Sequence, residues 1–279
     1  MSGNNNKQQS ISKWEGMPQR TITGAILVGA SIAVVLNARN PIVLKAVTIL
    51  LSIAAVFELI RAAHLEQERP FLFAMMASAG IIPLIPIPYY KRFLPWILAA
   101  ATVVFFHIMG RNARCILDTK PRAEGICLLV ILLLRSIPEF SAMKQGSFCL
   151  GLSMAICYAT DAFAYLGGKA FGTHKLCPDI SPNKTVEGSI CGILGAAAVA
   201  LAAAILWDVR MIPLLVYAVS ASVAAQFGDL AISGIKRAFA VKDLGNILPG
   251  HGGILDRFDS HSFAIPFSLL FFTFTNGLF

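Results

Sequence analysis

The sequence predicts an all-α polytopic membrane protein of about nine transmembrane helices, and three observations predict it. Of its 279 residues, 56% are hydrophobic and only 14% are charged, against about 25% charged in a soluble domain. The apolar residues are gathered in long runs parted by polar stretches, as suits helices of roughly 20 residues crossing a hydrocarbon core. Lys and Arg are spread unevenly over alternate connections, which sets a direction of insertion. A helix satisfies its backbone hydrogen bonds within one segment, a service that lipid cannot provide.

The elements follow in order. Residues 1–20 are polar, lack the apolar stretch of a signal peptide, and read as a disordered tail. Ile22–Leu36, Ile42–Ile60, Phe71–Ile87, Phe93–Met109 and Ile126–Ile137 build an N-terminal membrane region, residues 21–147. Pro83, Pro86 and Pro88 kink or end the third run. The fifth is short and carries Arg135 near its end. Phe148–Gly167, Ile190–Trp207, Met211–Phe227 and Phe263–Phe279 make a second region, residues 148–279. Its long connections, near Gly168–Ser189 and Gly228–Ser262, hold nearly all its polar chemistry.

Sixteen Lys and Arg residues fall on the side of the N-terminus and six on the other. The N-terminus and both long connections are therefore expected in the cytoplasm, and the C-terminus outside. This alternation requires the fifth run to be a true span. The net charge of +8 is scattered between apolar runs, which argues against nucleic acid as a partner and leaves orientation and lipid phosphates as its uses. The six cysteines form no C-x-x-C pair and read as small core residues. His64, His107, His174 and His261 are isolated and read as structural or solvated. No internal repeat is visible, so an inverted-repeat transporter gains no support.

The chemistry-bearing residues cluster late in the chain. On a helix, Asp229, Ser233 and Lys236 share one face; an acid, a hydroxyl and an ammonium there suit a metal with phosphate, or an ordinary solvated helix end. Lys242 and Asp243 follow, then Gly250-His251-Gly252-Gly253, whose glycines allow a tight turn. Such a loop forms either an anion-binding nest of backbone N–H groups or a plain turn. Asp256 and Asp259, three apart, face the same way on a helix and repel unless a cation lies between them. Arg257 beside them suits a phosphate. Upstream, Asp161 lies inside an apolar run, where a carboxylate is costly and signals function. Lys184 stands at a helix start as a phosphate ligand, while Ser181 or Thr185 caps that helix and Glu187 complements its dipole.

The run from Ser233 to Asp259 keeps Ser233, Lys236-Arg237, Lys242-Asp243, His251-Gly252-Gly253 and Asp256-Arg257-x-Asp259 in order and spacing. It resembles the signature of the phosphatidate cytidylyltransferases (CDP-diacylglycerol synthases). The stretch Asp161–Gly188 is similar to that family's preceding loop, so the resemblance covers roughly Asp161–Ser262, while the first half shares only apolar character. The resemblance implies a polytopic, homodimeric enzyme in which a phosphatidate phosphate attacks the α-phosphorus of CTP, giving CDP-diacylglycerol and diphosphate. It implies Mg²⁺ with K⁺ beside it. Asp229 and Asp256 would hold the metals, with Asp259 completing the centre and Lys236 catalytic. Lys236, Arg237, Lys242 and Arg257 would bind phosphates. His251, Gly252 and Gly253 would shape the nucleotide pocket, with Ser233 and Asp243 in the substrate-binding set, and Asp161 and Lys184 closing the site. Ile232 stands where many members carry an acid, and Asn183 and Val186 where Lys and Trp are common. Transfer to a prenol lipid and CTP-dependent lipid phosphorylation are the neighbouring alternatives; a cation-coupled transporter using Asp161 is the distant one. A compact chain without targeting signals is expected in a bacterial plasma membrane, its site facing the cytoplasm.

Overall fold

The computed structural model describes residues 17–86, 89–110, 120–248 and 252–275, with side chains placed from residue 22 onward and not at 108–110. Nine α-helices stand among the described residues: α1 (Met17–Leu36), α2 (Pro41–Ala62), α3 (Arg69–Ile81), α4 (Tyr90–Gly110), α5 (Lys120–Leu134), α6 (Gly146–Phe171), α7 (Val186–Trp207), α8 (Met211–Ala238) and α9 (Asp259–Phe274). Each apolar run of the sequence overlaps one of them, the third, fifth and last running on beyond the helix end. By length and composition, five candidate spans are long and apolar enough to cross a membrane: α2, α5 with the following 3-10 turn to Ala142, α6, α7 and α8. The fifth run thus qualifies as a span, and its Arg135 pairs with Glu139 at 2.7 Å, one turn on. Helix α1 starts at Met17, inside the segment expected to be a tail, and α3 stops just ahead of Pro83.

Two expected boundaries move, for one reason. Helix α6 continues past Gly167 to Phe171, and α8 continues past Phe227 to Ala238. The hydropathy stops where polar residues begin, but the helix does not. In α8 the polar Asp229, Ser233 and Lys236 lie on one face while Ile232 and Ile235 are buried in the core. The connections are correspondingly shorter. One of them holds the one two-stranded sheet among the described residues, a departure from an all-α fold: an antiparallel hairpin of β1 (Lys175–Cys177) and β2 (Ser181–Thr185). Pro182 disfavours helix at the residue before it, so this polar segment pairs as strands instead.

The site-bearing half is held by close backbone approach and by buried hydroxyls. Gly188, Gly192 and Gly195 lie along one face of α7. A Cβ built on Gly188 would lie 2.7 Å from the Ala164 carbonyl oxygen, and one on Gly192 2.9 Å from that of Thr160. Small residues at such spacing let two helices meet where lipid supplies no hydrophobic drive. The Thr160 hydroxyl donates to Ser222 at 2.9 Å, tying α6 to α8. The buried Tyr217 hydroxyl bonds Ser153 at 2.9 Å and Ser268 at 2.7 Å, tying α8 to α6 and α9. At Gly228 a Cβ would meet the Asp259 carbonyl oxygen at 2.7 Å, so α8 and the head of α9 touch beside Asp229.

Candidate active site

A cavity of about 720 Å³ opens between α1, α6, the hairpin, α8 and the segment leading into α9, within the size range of ligand sites. Its walls carry Asp161, Lys184, Asp229, Lys236, Asp243, Asp256, Arg257 and Asp259. Asp161 comes from α6, Lys184 from β2, Asp229 and Lys236 from α8, Asp243, Asp256 and Arg257 from the segment before α9, and Asp259 from the first turn of α9. Thr185 accepts the Gly188 N–H at 3.2 Å as the cap of α7, which fixes Lys184 just before it. Glu187 does more than complement the dipole: it accepts the Thr173 hydroxyl at 2.6 Å and the Thr173 N–H at 3.1 Å, clamping the hairpin to the helix start.

The charges are paired inside this cavity. Lys184 forms an ion pair with Asp229. Lys236 donates to Asp256 Oδ1 at 3.1 Å, both side chains being nearly buried. The Ser260 hydroxyl lies 3.0 and 2.9 Å from the two oxygens of Asp161. Asp259, ahead of the apolar run that starts at Phe263, has its carboxyl pushed above the usual range by burial and then by the charge of Asp229, with Lys236 opposing. Asp161 adds to that repulsion. A cation placed among Asp161, Asp229 and Asp259 would relieve it. Among the described residues no three acidic, His or Cys side chains stand together as a ready-made metal cage. Mg²⁺ does not need one, since it takes one or two carboxylates together with substrate phosphates and water. The hard oxygen donors present therefore fit Mg²⁺.

Asp256 is held differently from its expected helical partner Asp259. It sits in a turn ahead of α9. Its Oδ2 accepts the backbone N–H groups of Leu244 and Gly253, each at 2.9 Å, leaving Oδ1 to Lys236. Gly252 has φ +84°, and a Cβ there would lie 3.1 Å from Asp256 Oδ2, so this position is confined to glycine. Backbone N–H groups from Gly253 onward do gather around anions, but those anions belong to the protein. The N–H of Gly253 serves Asp256, and those of Ile254 and Leu255 serve Glu58 Oε1 and Oε2 at 2.7 and 2.9 Å. The Gly253 N–H is thus taken by Asp256.

Other expected ligands lie apart from the cavity wall. Arg237 donates to the carbonyl oxygens of Ile180 at 3.0 Å and Val241 at 3.2 Å, bracing the hairpin against the chain after α8. Ser233 is buried and lies 3.4 Å from Asp229 Oδ1. Lys242 is exposed outside the wall. Ile232 is core. His251 falls outside the described residues. Two residues escaped the sequence reading. Lys169 lines the cavity from the last turn of α6. Glu58 is only 1% exposed, and the signal that singled out Asp161, a lone carboxylate in an apolar run, applied to it equally.

Comparison with known proteins extends beyond the region whose motifs are readable. A phosphatidate cytidylyltransferase of Staphylococcus aureus is 34% identical over 243 residues, covering 81% of this chain and 90% of that protein. Phosphatidate cytidylyltransferases of Staphylococcus saprophyticus and Staphylococcus epidermidis are 44% and 46% identical over 129 residues, 46% of this chain and 50% of each of theirs. The cytidylyltransferase family model matches residues 18–275, so the likeness takes in the N-terminal helices that the sequence had offered only as apolar. With the paired lysines and aspartates in one cavity, this match places the chain in the cytidylyltransferase family.

Proposed function

We infer that the chain is a phosphatidate cytidylyltransferase, joining CTP and phosphatidate into CDP-diacylglycerol and diphosphate. The observation that carries this is one cavity in which two lysines are paired to two aspartates beside further carboxylates, in a chain 34% identical to an enzyme of that name. A phosphatidate phosphate oxygen forms a bond to the α-phosphorus of CTP, and the bond from that phosphorus to the β-phosphate oxygen breaks, releasing diphosphate. The nucleophile is already an anion, so no strong base is required. The work is to align two anions and neutralise the charge between them.

The ion pairs supply a means to do so. On this reading Lys184 and Lys236 turn from Asp229 and Asp256 to the incoming phosphates, leaving carboxylate oxygens that would hold a cation. Asp256 is suited to this exchange because only Oδ1 faces Lys236, while Oδ2 stays on the backbone. Asp229 and Asp256 Oδ1 would hold Mg²⁺, with Asp259 supporting them and K⁺ beside it. Mg²⁺, when bound, neutralises charge on the triphosphate. Arg257 and Lys169 are placed to meet further phosphate oxygens, and Asp161 with Ser260 closes the inner wall. The chain crosses the plasma membrane nine times as a homodimer, with N-terminus and site in the cytoplasm; the excess of Lys and Arg on that side supports this orientation.

CTP labelled at either the α- or γ-phosphorus, given to sealed membrane vesicles of each orientation with phosphatidate and Mg²⁺, tests activity and facing together. Inverted vesicles should pass the α label into lipid and release the γ label as diphosphate, and EDTA should stop both. The γ label in lipid would mean a lipid kinase. Incorporation only in right-side-out vesicles would reverse the topology.

A further inference from the structure

Glu58 lies near the end of α2, far in sequence from the active-site segment, yet its carboxylate is buried against it. Oε1 accepts the N–H of Ile254 at 2.7 Å and Oε2 that of Leu255 at 2.9 Å. Cβ atoms built on Gly245 and Gly253 would lie 2.7 and 2.5 Å from its oxygens, so both limbs of the loop rest directly on the carboxylate. No ion pair to Glu58 occurs among the described residues. A carboxylate removed from water and given no cation must be satisfied by N–H groups, and here these are the two that immediately precede Asp256.

We propose that Glu58 is a positioning residue for Asp256: the N-terminal helices supply the anchor on which the active-site loop is built. Successive N–H groups at Gly253, Ile254 and Leu255 are divided between Asp256 and Glu58. The loop therefore reaches one conformation only when both carboxylates are present. Asp256 Oδ1 then faces Lys236 because Oδ2 is fixed by the loop that Glu58 holds. A neutral amide in place of Glu58 offers one acceptor and turns an NH₂ group toward the other backbone N–H, so one loop contact is kept and the other is replaced by a repulsion. Outer partners that orient a metal-site ligand are commonly worth about 10–100-fold. The proposal rests on the reading of Asp256 as an active-site carboxylate.

The test is a double-mutant cycle of Glu58→Gln and Asp256→Asn on the full-length protein in detergent, read by turnover and by backbone amide exchange. Glu58→Gln should lower kcat about 10–100-fold, leave KM for phosphatidate within about twofold, and speed exchange at residues 252–256 alone. In the Asp256→Asn background it should add less than about twofold, as expected of residues acting as a unit. If Glu58→Gln does not fold, Gly253→Ala, which presses a methyl on the same carboxylate, should give the same loss and the same local exchange. Wild-type turnover by Glu58→Gln while Asp256→Asn is inactive overturns this proposal alone. Exchange that quickens throughout the bundle, with equal losses in both backgrounds, makes Glu58 a packing residue and overturns it too. Wild-type turnover by Asp256→Asn removes the active-site reading, and this proposal with it.

Discussion

The Lys236 ammonium stands 3.1 Å from Asp256 and is almost fully buried, so on the proposed reading it would serve both the resting structure and the incoming phosphate. Lys236→Ala should raise the KM for CTP or phosphatidate about tenfold or more, the worth of a charge-assisted hydrogen bond of about 1.5–3 kcal/mol. It should also lower the thermal midpoint, because Asp256 keeps its backbone donors but loses its counter-charge. Steady-state kinetics and a thermal melt read the two effects separately; unchanged KM and kcat would remove Lys236 from the site. At this scale the sequence was informative about residue type and less so about direction. Asp229 and Lys236 could be placed on one face from spacing alone. That Arg237, the next residue, turns outward to brace the Ile180 carbonyl follows from the hairpin's position, which no local pattern encodes.

Among the elements, α6 and α7 decide whether the site exists. Asp161 is on one, Lys184 immediately precedes the other, and their backbones meet at Gly188 and Gly192. Gly192→Leu places a branched side chain against the Thr160 carbonyl, where a Cβ alone lies 2.9 Å away. Overpacking of this kind costs about 1–3 kcal/mol, and activity should fall along with the thermal midpoint. Wild-type melting and turnover by the Gly192→Leu enzyme would show that the close approach is dispensable. Helices were legible because apolar runs and helices coincide in a membrane. Their ends were not, because hydropathy reports where a polar residue first appears, while α8 runs on to Ala238 with its polar face turned inward. The hairpin escaped notice because its three and five residues are short and polar, with none of the apolar alternation that marks a strand.

On the scale of the whole molecule, the two halves are one machine. The motifs of the second half are recognisable in sequence, whereas the first half reaches the site through α1, which lines the cavity, and through Glu58, in contact across nearly two hundred residues. The bundle joins a lipid-facing exterior to one charged cavity, which suits a reaction between a lipid phosphate and a water-soluble nucleotide. Asp229 joins several parts of that scheme: it pairs with Lys184, adjoins Ser233, and bears on Asp259. The most direct measurement is therefore turnover by purified Asp229→Asn with α-labelled CTP and phosphatidate, at saturating Mg²⁺, beside its thermal melt. Loss of at least about 100-fold in kcat from a protein that melts as the wild type does is the predicted result, since the amide keeps the shape and loses the charge. Turnover within about threefold of wild type would contradict the account, because the exchange of ion pairs on which it depends would have lost its carboxylate without consequence.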